Sequence, residues 1–380
     1  MKRFCIYITL ILILPLIGKG QSFIRLSNPA GIARVNELVA ISWHKIQRIM
    51  PAIDKMGFVV MDPASNEEVK YQLEYLGSEN IQHLLLQVNL KPHGTTVLEI
   101  RQGTPSTVEP KTFCRYVPER EDDFAWENDK IAFRMYGKAL ESNIGNAKGM
   151  DVWTKRTDKL VIDNWYKKGN YHVDHGEGVD YYDVGMTLGA GDNAPFLNDS
   201  IWFPKNYTRY RILDDGPLRC TFELKYDGWK VGDRMVGLVK TISLDAGAQL
   251  NRVNAHYSFA GNGTLDVVVG IVKRGEAGIE HFDETRGIMR YWQPNDSING
   301  TTGVGCIFVG PVRKTNTGKH QLNQLLGLVS AKSGVGLNYY SGAVWDKAGV
   351  ITTVDDWDLY LRAFSARMKQ PIDVRLYRAK

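Results

Sequence analysis

The chain has 380 residues, 43% hydrophobic and 11% aromatic, which is enough apolar material for a sizeable core in one large domain or two ordinary ones. Its formal net charge of +5 falls to +2 without Lys2, Arg3 and Lys19 of the leader. That excludes the basic stripe of a nucleic-acid binder, so no nucleic-acid partner is expected.

Lys2 and Arg3 precede an apolar run from Ile6 to Ile17, and Gly18 and Gly20 follow it. The run is too short to span a bilayer, and small residues at its end suit a signal peptidase. Residues 1–20 therefore read as a signal peptide cleaved near Gly20–Gln21, and 21–380 as one large β domain exported to the periplasm or the medium, without membrane insertion. Cys5 sits inside the run, away from the cleavage point, so no lipid anchor is expected. The mature chain keeps Cys114, Cys220 and Cys306, an odd number that rules out a disulfide framework; one bridge or three buried thiols both remain open. Sequons stand at Asn198, Asn206, Asn262, Asn295 and Asn299.

In chain order, residues 22–115 are β-rich and could form a smaller N-terminal subdomain. Within them Trp43–Met50 reads as a helix stopped by Pro51. Period-two alternation then predicts half-buried strands at Ile131–Tyr136, Arg219–Tyr226 and Leu250–Phe259, with Val236–Leu244 and Leu265–Val272 as further strands. A loop through Tyr171–Gly178, broken by Gly176 and Gly178, is expected to lead into a strand at Asp183–Leu188, and His320–Leu326 into a short helix. Strands along the whole length, punctuated by 37 glycines, predict an all-β protein with minor helices, built of large packed antiparallel sheets.

Candidate chemistry concentrates between Phe124 and Arg211. His172 and His175 stand three residues apart beside Tyr181 and Tyr182, among four carboxylates. Such groups adjust one another's pKa values, as acid–base sites require. His172 and His175 leave a divalent-metal alternative open, although the spacing alone is weak and no zinc-protease pattern accompanies it; no cofactor is otherwise predicted. Trp126 and Asn128, Arg134 on the following strand, and Tyr207, Arg209 and Arg211 combine rings, amides and guanidinium forks. These are the ingredients of a saccharide site, though core aromatics and surface cations would read the same. His256 lies on the polar face of its strand with Arg252 and Asn254. His44, His83, His93, His281 and His320 are isolated. Walker, Gly-x-Ser-x-Gly and dinucleotide fingerprints are absent from the sequence.

The segments Ser27-Asn28-Pro29, Arg34–Glu37, Phe124–Asp129, Tyr171–Gly178, Trp202–Arg211 and Lys240–Leu244 together resemble the domain-of-unknown-function 4861 family of secreted bacterial proteins, over nearly all the mature chain. The resemblance implies a setting beside enzymes that dismantle acidic polysaccharides, and a galactose-mutarotase-like β-supersandwich. It extends to ulvan oligosaccharide dehydratase, which removes water from a terminal uronic acid and leaves a 4,5-unsaturated residue. The implied partner is an acidic oligosaccharide. Elimination needs a base for the C5 proton, an acid for the C4 hydroxyl and a cation for the carboxylate. His172, His175, Tyr181 or Tyr182 could fill the first two roles, and Arg134, Arg209 or Arg211 the third. Two alternatives stay open: a glycoside hydrolase using Asp174 and Glu177, and a non-catalytic carbohydrate-binding protein on the same scaffold.

Overall fold

A computed structural model describes residues 21–143, 146–275, 278–317 and 323–379. The expected signal peptide, 1–20, lies outside the described residues. Leu250–Phe259 shows why the chain builds sheets. Val253, Ala255 and Tyr257 are buried while Arg252 and His256 are exposed, the two-residue period of a strand with one covered face. It is a central strand of an eight-stranded antiparallel sheet, in spatial order Arg209–Asp215, Arg219–Val231, Arg234–Asp245, Leu250–Phe259, Gly336–Trp345, Thr302–Phe308, Ile288–Trp292 and Ile279–Asp283.

Two five-stranded sheets cover its inner face. One contains Ala190–Leu197, Thr264–Val272 and Gln324–Lys332; the other runs Gly178–Val179, Met150–Lys155, Ile131–Met135, Asp123–Asn128 and Thr112–Val117. They meet edge to edge at the Met150–Gly189 bridge. One continuous core joins all three sheets, with Phe124, Trp126, Phe133 and Val152 facing Phe222, Leu224, Val253 and Tyr257. Trp126 is fully buried and meets Phe222 at 4.9 Å and Phe133 at 5.6 Å between ring centroids. Such aromatic pairs add about 0.5–1.5 kcal/mol each beyond burial.

A smaller two-sheet unit is formed by residues 22–102 around its own core of Ile24, Phe58, Leu84 and Leu98. The C-terminal strand Asp373–Arg378 returns to pair with Ser22–Ser27 in it. The Leu218 and Arg219 amides donate to Gln72 Oε1, and with the Arg219–Glu74 pair they tie it to the large sheet. Three α-helices are described: Trp43–Ile49, Ile162–Lys168 and Val354–Lys369. None of the described helices is long and apolar enough to cross a membrane.

Several expectations need correction. Residues 183–188 form no strand, because Thr187 Oγ1 turns back to the Val184 carbonyl and Gly185 takes φ +55°. Gln324–Leu326, expected as part of a helix, opens the strand Gln324–Lys332, while 318–322 lie outside the described residues. Helices 162–168 and 354–369 were not anticipated, although Thr353 and Asp356 form a capping box at the second. Cys114, Cys220 and Cys306 are all unbridged and buried.

Candidate active site

Strand pairing brings charges that are distant in sequence onto one face. Arg134 sits opposite Ala125 on one neighbour and Asp151 on the other. With period two, Asp123, Arg134 and Asp151 all point away from the main core. Helix 162–168 and Tyr171 cover this outer face, with Trp165, Tyr166 and Tyr171 packed on Trp153 of the strand. Asp180 enters just beyond Gly178–Val179.

Arg134 Nη2 lies 2.5 Å from Asp151 Oδ2 and 3.0 Å from Asp180 Oδ2, and its Nε is 3.8 Å from Asp123 Oδ2. The guanidinium is 4% exposed and the three aspartates no more than 2%. Its carbon lies 5.1 Å from the Tyr136 ring and 5.3 Å from the Trp153 ring. Three carboxylates around one fully buried guanidinium cannot all stay charged cheaply. Burial pushes Asp123 up to about 7 against the pull of Arg134 and Arg120. Burial, then the Asp180 charge, pushes Asp151 up to about 7, and burial pushes Asp180 up to about 6. Burial also opposes the charge on Arg134, but Asp151 and Asp180 outweigh it and hold the guanidinium well above its ordinary value. Both Asp123 carboxylate oxygens, and Nε and Nη1 of Arg134, lack hydrogen-bond partners, an unusual density of unsatisfied buried groups.

His172 closes the rim. Its Nδ1 is 2.9 Å from the Asp180 carbonyl oxygen and 3.5 Å from Asp180 Oδ2. A carbonyl only accepts, so Nδ1 carries the proton and donates. In the neutral ring the Nε2 lone pair is then unshared, on a side chain 61% exposed. Tyr171 stacks on Trp153 at 4.9 Å and packs beside the His172 ring at 4.6 Å. Arg120 stands at the same end, partly exposed and 2.8 Å from Glu121. Burial works against its charge, but Asp123 and the Tyr171 hydroxyl raise its pKa.

Only some of the candidate residues gather here. His172 and Arg134 are linked through the same oxygen, Asp180 Oδ2. His175 is exposed; its Nε2 donates to the Asn170 carbonyl at 3.1 Å, and it borders a separate cavity of about 20 Å³. Tyr181 bonds to Thr302 Oγ1 at 2.6 Å, toward the large sheet. Tyr182 is core, its hydroxyl donating to the Gly189 carbonyl at 3.1 Å, and burial raises its pKa well above the ordinary value. Trp126, expected to stack on sugar, is 0% exposed, and its Nε1 donates to Asn251 Oδ1 at 2.7 Å. Asn128 is a buried brace that donates to the Asp245 and Ala248 carbonyls and accepts from the Lys130 and Ile131 amides. Tyr207 is buried and donates to the Asp122 carbonyl. Arg209 and Arg211 are exposed on the edge strand Arg209–Asp215, Arg211 facing Glu223 at 3.4 Å, and His256 is exposed on the outer face of the large sheet. Trp126, Asn128, Tyr182 and Tyr207 thus have structural work: their polar atoms are spent inside the fold.

Asp123, Asp151, Asp180, Arg120 and Tyr171 were missed as site residues. A charged residue inside a strongly apolar strand is the signal that could have found Asp123 and Asp151, since Asp123–Asn128, Ile131–Met135 and Met150–Lys155 are buried at every position; Asp180, Arg120 and Tyr171 lie in turns and loops and carried no such signal. A second buried pair lies further along the same sheet. Lys155 Nζ is 2.7 Å from Glu127 Oε2, whose carboxylate also accepts the Val161 and Ile162 amides at the start of helix 162–168. Among the described residues no three His, Cys, Asp or Glu side chains gather as metal ligands would.

The stacked antiparallel sheets define an all-β protein, and two solved structures share its fold. An alpha-mannosidase from Enterococcus faecalis V583 superposes with a TM-score of 0.53 at 8% identity, over 96% of this chain and 47% of that one. A glycosyl hydrolase family 38 protein from Enterococcus faecalis gives 0.51 at 9%, over 95% and 48%. The chain thus spans about half the length of these structures, and the likeness is one of fold. The chain belongs to the family described as a domain of unknown function, DUF4861, whose model matches residues 26–374. It is 30% identical over 315 residues to uncharacterized protein P7 of Formosa agariphila, covering 77% of this chain and 78% of that protein.

Proposed function

We propose that the chain is an exported carbon–oxygen lyase that forms a 4,5-unsaturated uronic acid at the non-reducing end of acidic, ulvan-type oligosaccharides by removing water. The observation that carries this reading is the arrangement of His172: Nδ1–H fixed on the Asp180 carbonyl, Nε2 unshared and open to solvent, at the edge of a buried guanidinium–carboxylate cluster. Nε2 takes the C5 proton, and the C5–H electrons move toward the carboxylate as an enolate-like charge. The partly exposed Arg120, whose Nη1 is held by Glu121, offers that carboxylate a positive charge and its remaining N–H groups. The charge then returns to form the C4=C5 bond as the C4–O bond breaks. The departing hydroxyl takes a proton from the His172 imidazolium and leaves as water. Base and acid are one residue, so the hydrogen and hydroxyl depart from the same side of the ring. Asp180 is a positioning residue, and Arg134 holds Asp180.

The hydrolase alternative has less support. Asp174 is tied to Arg156 and Glu177 accepts from Trp165 Nε1 at 3.3 Å, while Asp123 and Asp151 are 0% exposed. The test is absorbance in the unsaturated-uronate band on mixing the protein with a uronate-terminated oligosaccharide, followed by mass spectrometry. Rising absorbance with loss of one water and no chain cleavage is expected. Flat absorbance with cleavage would make the protein a hydrolase, and no change of either kind together with calorimetric binding of the oligosaccharide would make it a binding protein.

A further inference from the structure

Two clefts outside the His172 cluster share a wall. The first, about 530 Å³, borders Gly176 and Glu177 of the histidine loop and includes Arg156 and Lys159. The second, about 870 Å³, lies between the strand Arg34–Ser42, helix Val354–Lys369 and the outer face of the large sheet, where Arg252, Asn338 and Tyr340 line it. Lys130 lines both, so the two clefts adjoin at its side chain, and the pair is termed the trough.

Most charges along it are spent within the fold: Arg156 on Asp174, Arg219 on Asp245, Arg367 on Glu37. Among the described residues Lys159 and Arg252 have no ion-pair partner. Lys130, between them, reaches only its neighbour Asp129 at 3.4 Å and keeps its side chain 38% exposed. Three available cations therefore lie along the trough, one in each cleft and one at the junction. Arg252 also has the company a sugar acid needs. It pairs across strands with Tyr340, and its charge acts on the Tyr340 hydroxyl. Phe364 holds that ring edge-on at 5.1 Å. Asn338, which also lines the cleft, accepts from Asn254 Nδ2 at 2.8 Å. An unpaired guanidinium fork beside an aromatic ring matches a carboxylated sugar better than a neutral one.

We infer that this trough binds an anionic oligosaccharide along its length, its carboxylates met by Lys159, Lys130 and Arg252, apart from the residues that would carry out elimination. The test is calorimetric titration of the full chain carrying His172→Ala, so that no turnover interferes, with hexagalacturonate, digalacturonate and the neutral maltohexaose. Hexagalacturonate binds at least ten-fold more tightly than either comparison sugar, and its affinity falls with salt. Arg252→Glu and Lys159→Glu each weaken the hexamer roughly 10–100-fold, the worth of one charge-assisted contact. The substitutions lie in separate clefts, so if one lowers the melting temperature the other decides. Equal binding of maltohexaose, or unchanged hexamer affinity in both well-folded variants, would overturn the inference. Intact binding with flat absorbance in the parent protein would sink the elimination reading alone. Insensitive binding with rising absorbance would sink the trough alone.

Discussion

Replacing Arg134 by Met is the sharpest probe of the buried cluster. The substitution keeps much of the side-chain volume and removes the one fully buried cation that Asp123, Asp151 and Asp180 face. Breaking a buried pair by removing one partner costs about 3–5 kcal/mol, because the other charge is left uncompensated. At ~2.1 cal/mol/K per residue, 380 residues give an unfolding entropy of about 0.8 kcal/mol/K, so the loss corresponds to a melting temperature about 4–6 °C lower. The pH dependence identifies the cause. Folded Asp123 and Asp151 are pushed up to about 7 and Asp180 to about 6, from an ordinary value of 3.8. Between these limits the folded state holds protons that the unfolded state releases, so these groups favour folding at low pH and lose that contribution as pH rises toward 7. Arg134 lowers all three values, so its removal moves them further up. The variant should therefore suffer its full loss at pH 8 and recover part of it at pH 5, where protons replace the guanidinium. Thermal melts of parent and variant at both pH values measure this. An equal penalty at pH 5 and pH 8, or no penalty, would refute the electrostatic account of the cluster.

The remaining expectations concern the rim and the core. His172→Ala should lower turnover on a uronate-terminated oligosaccharide by roughly 10²–10⁴-fold in the absorbance assay with its melting temperature kept, while His175→Ala stays within about two-fold of the parent, its ring being held on a separate carbonyl; the reverse order would move the base to His175. Asp180→Asn preserves the backbone carbonyl that holds His172 but removes the nearby charge. It should lower kcat more than it raises KM in the absorbance assay, whereas a merely structural role would lower the melting temperature and leave kcat of the folded protein in place. Trp126→Ala should cost about 3–5 kcal/mol of stability through the cavity it opens, and Trp126→Phe should leave substrate affinity unchanged in a titration; a weakened affinity would return Trp126 to the sugar site.

Much of the architecture is legible without coordinates, because a strand covered on one face writes its geometry into every second residue. Leu250–Phe259 coincides with its predicted bounds, and Ile131–Tyr136, Arg219–Tyr226 and Val236–Leu244 differ from the observed strands at their ends. The pattern fails where both faces are covered. Asp123–Asn128 and Met150–Lys155 have no solvent side, so nothing in their alternation separates a core tryptophan such as Trp126 from a sugar platform. Residue type shows that a ring or an amide is present, while only packing decides whether its polar atom is free. Asn128 and Tyr182 look like site residues until Asp245, Ala248 and Gly189 are seen to use them. The charged cluster was out of reach for a related reason. Asp123, Arg134, Asp151 and Asp180 are spread over 58 positions of the chain, and antiparallel pairing alone lays the first three on a common face. The sequence by itself determined the half-buried strands, such as Leu250–Phe259, and singled out His172 and Arg134. Tertiary structure decided which lone pair of that histidine is open, because the hydrogen bond that fixes it comes from the Asp180 backbone, and a backbone carbonyl leaves no trace in residue identity.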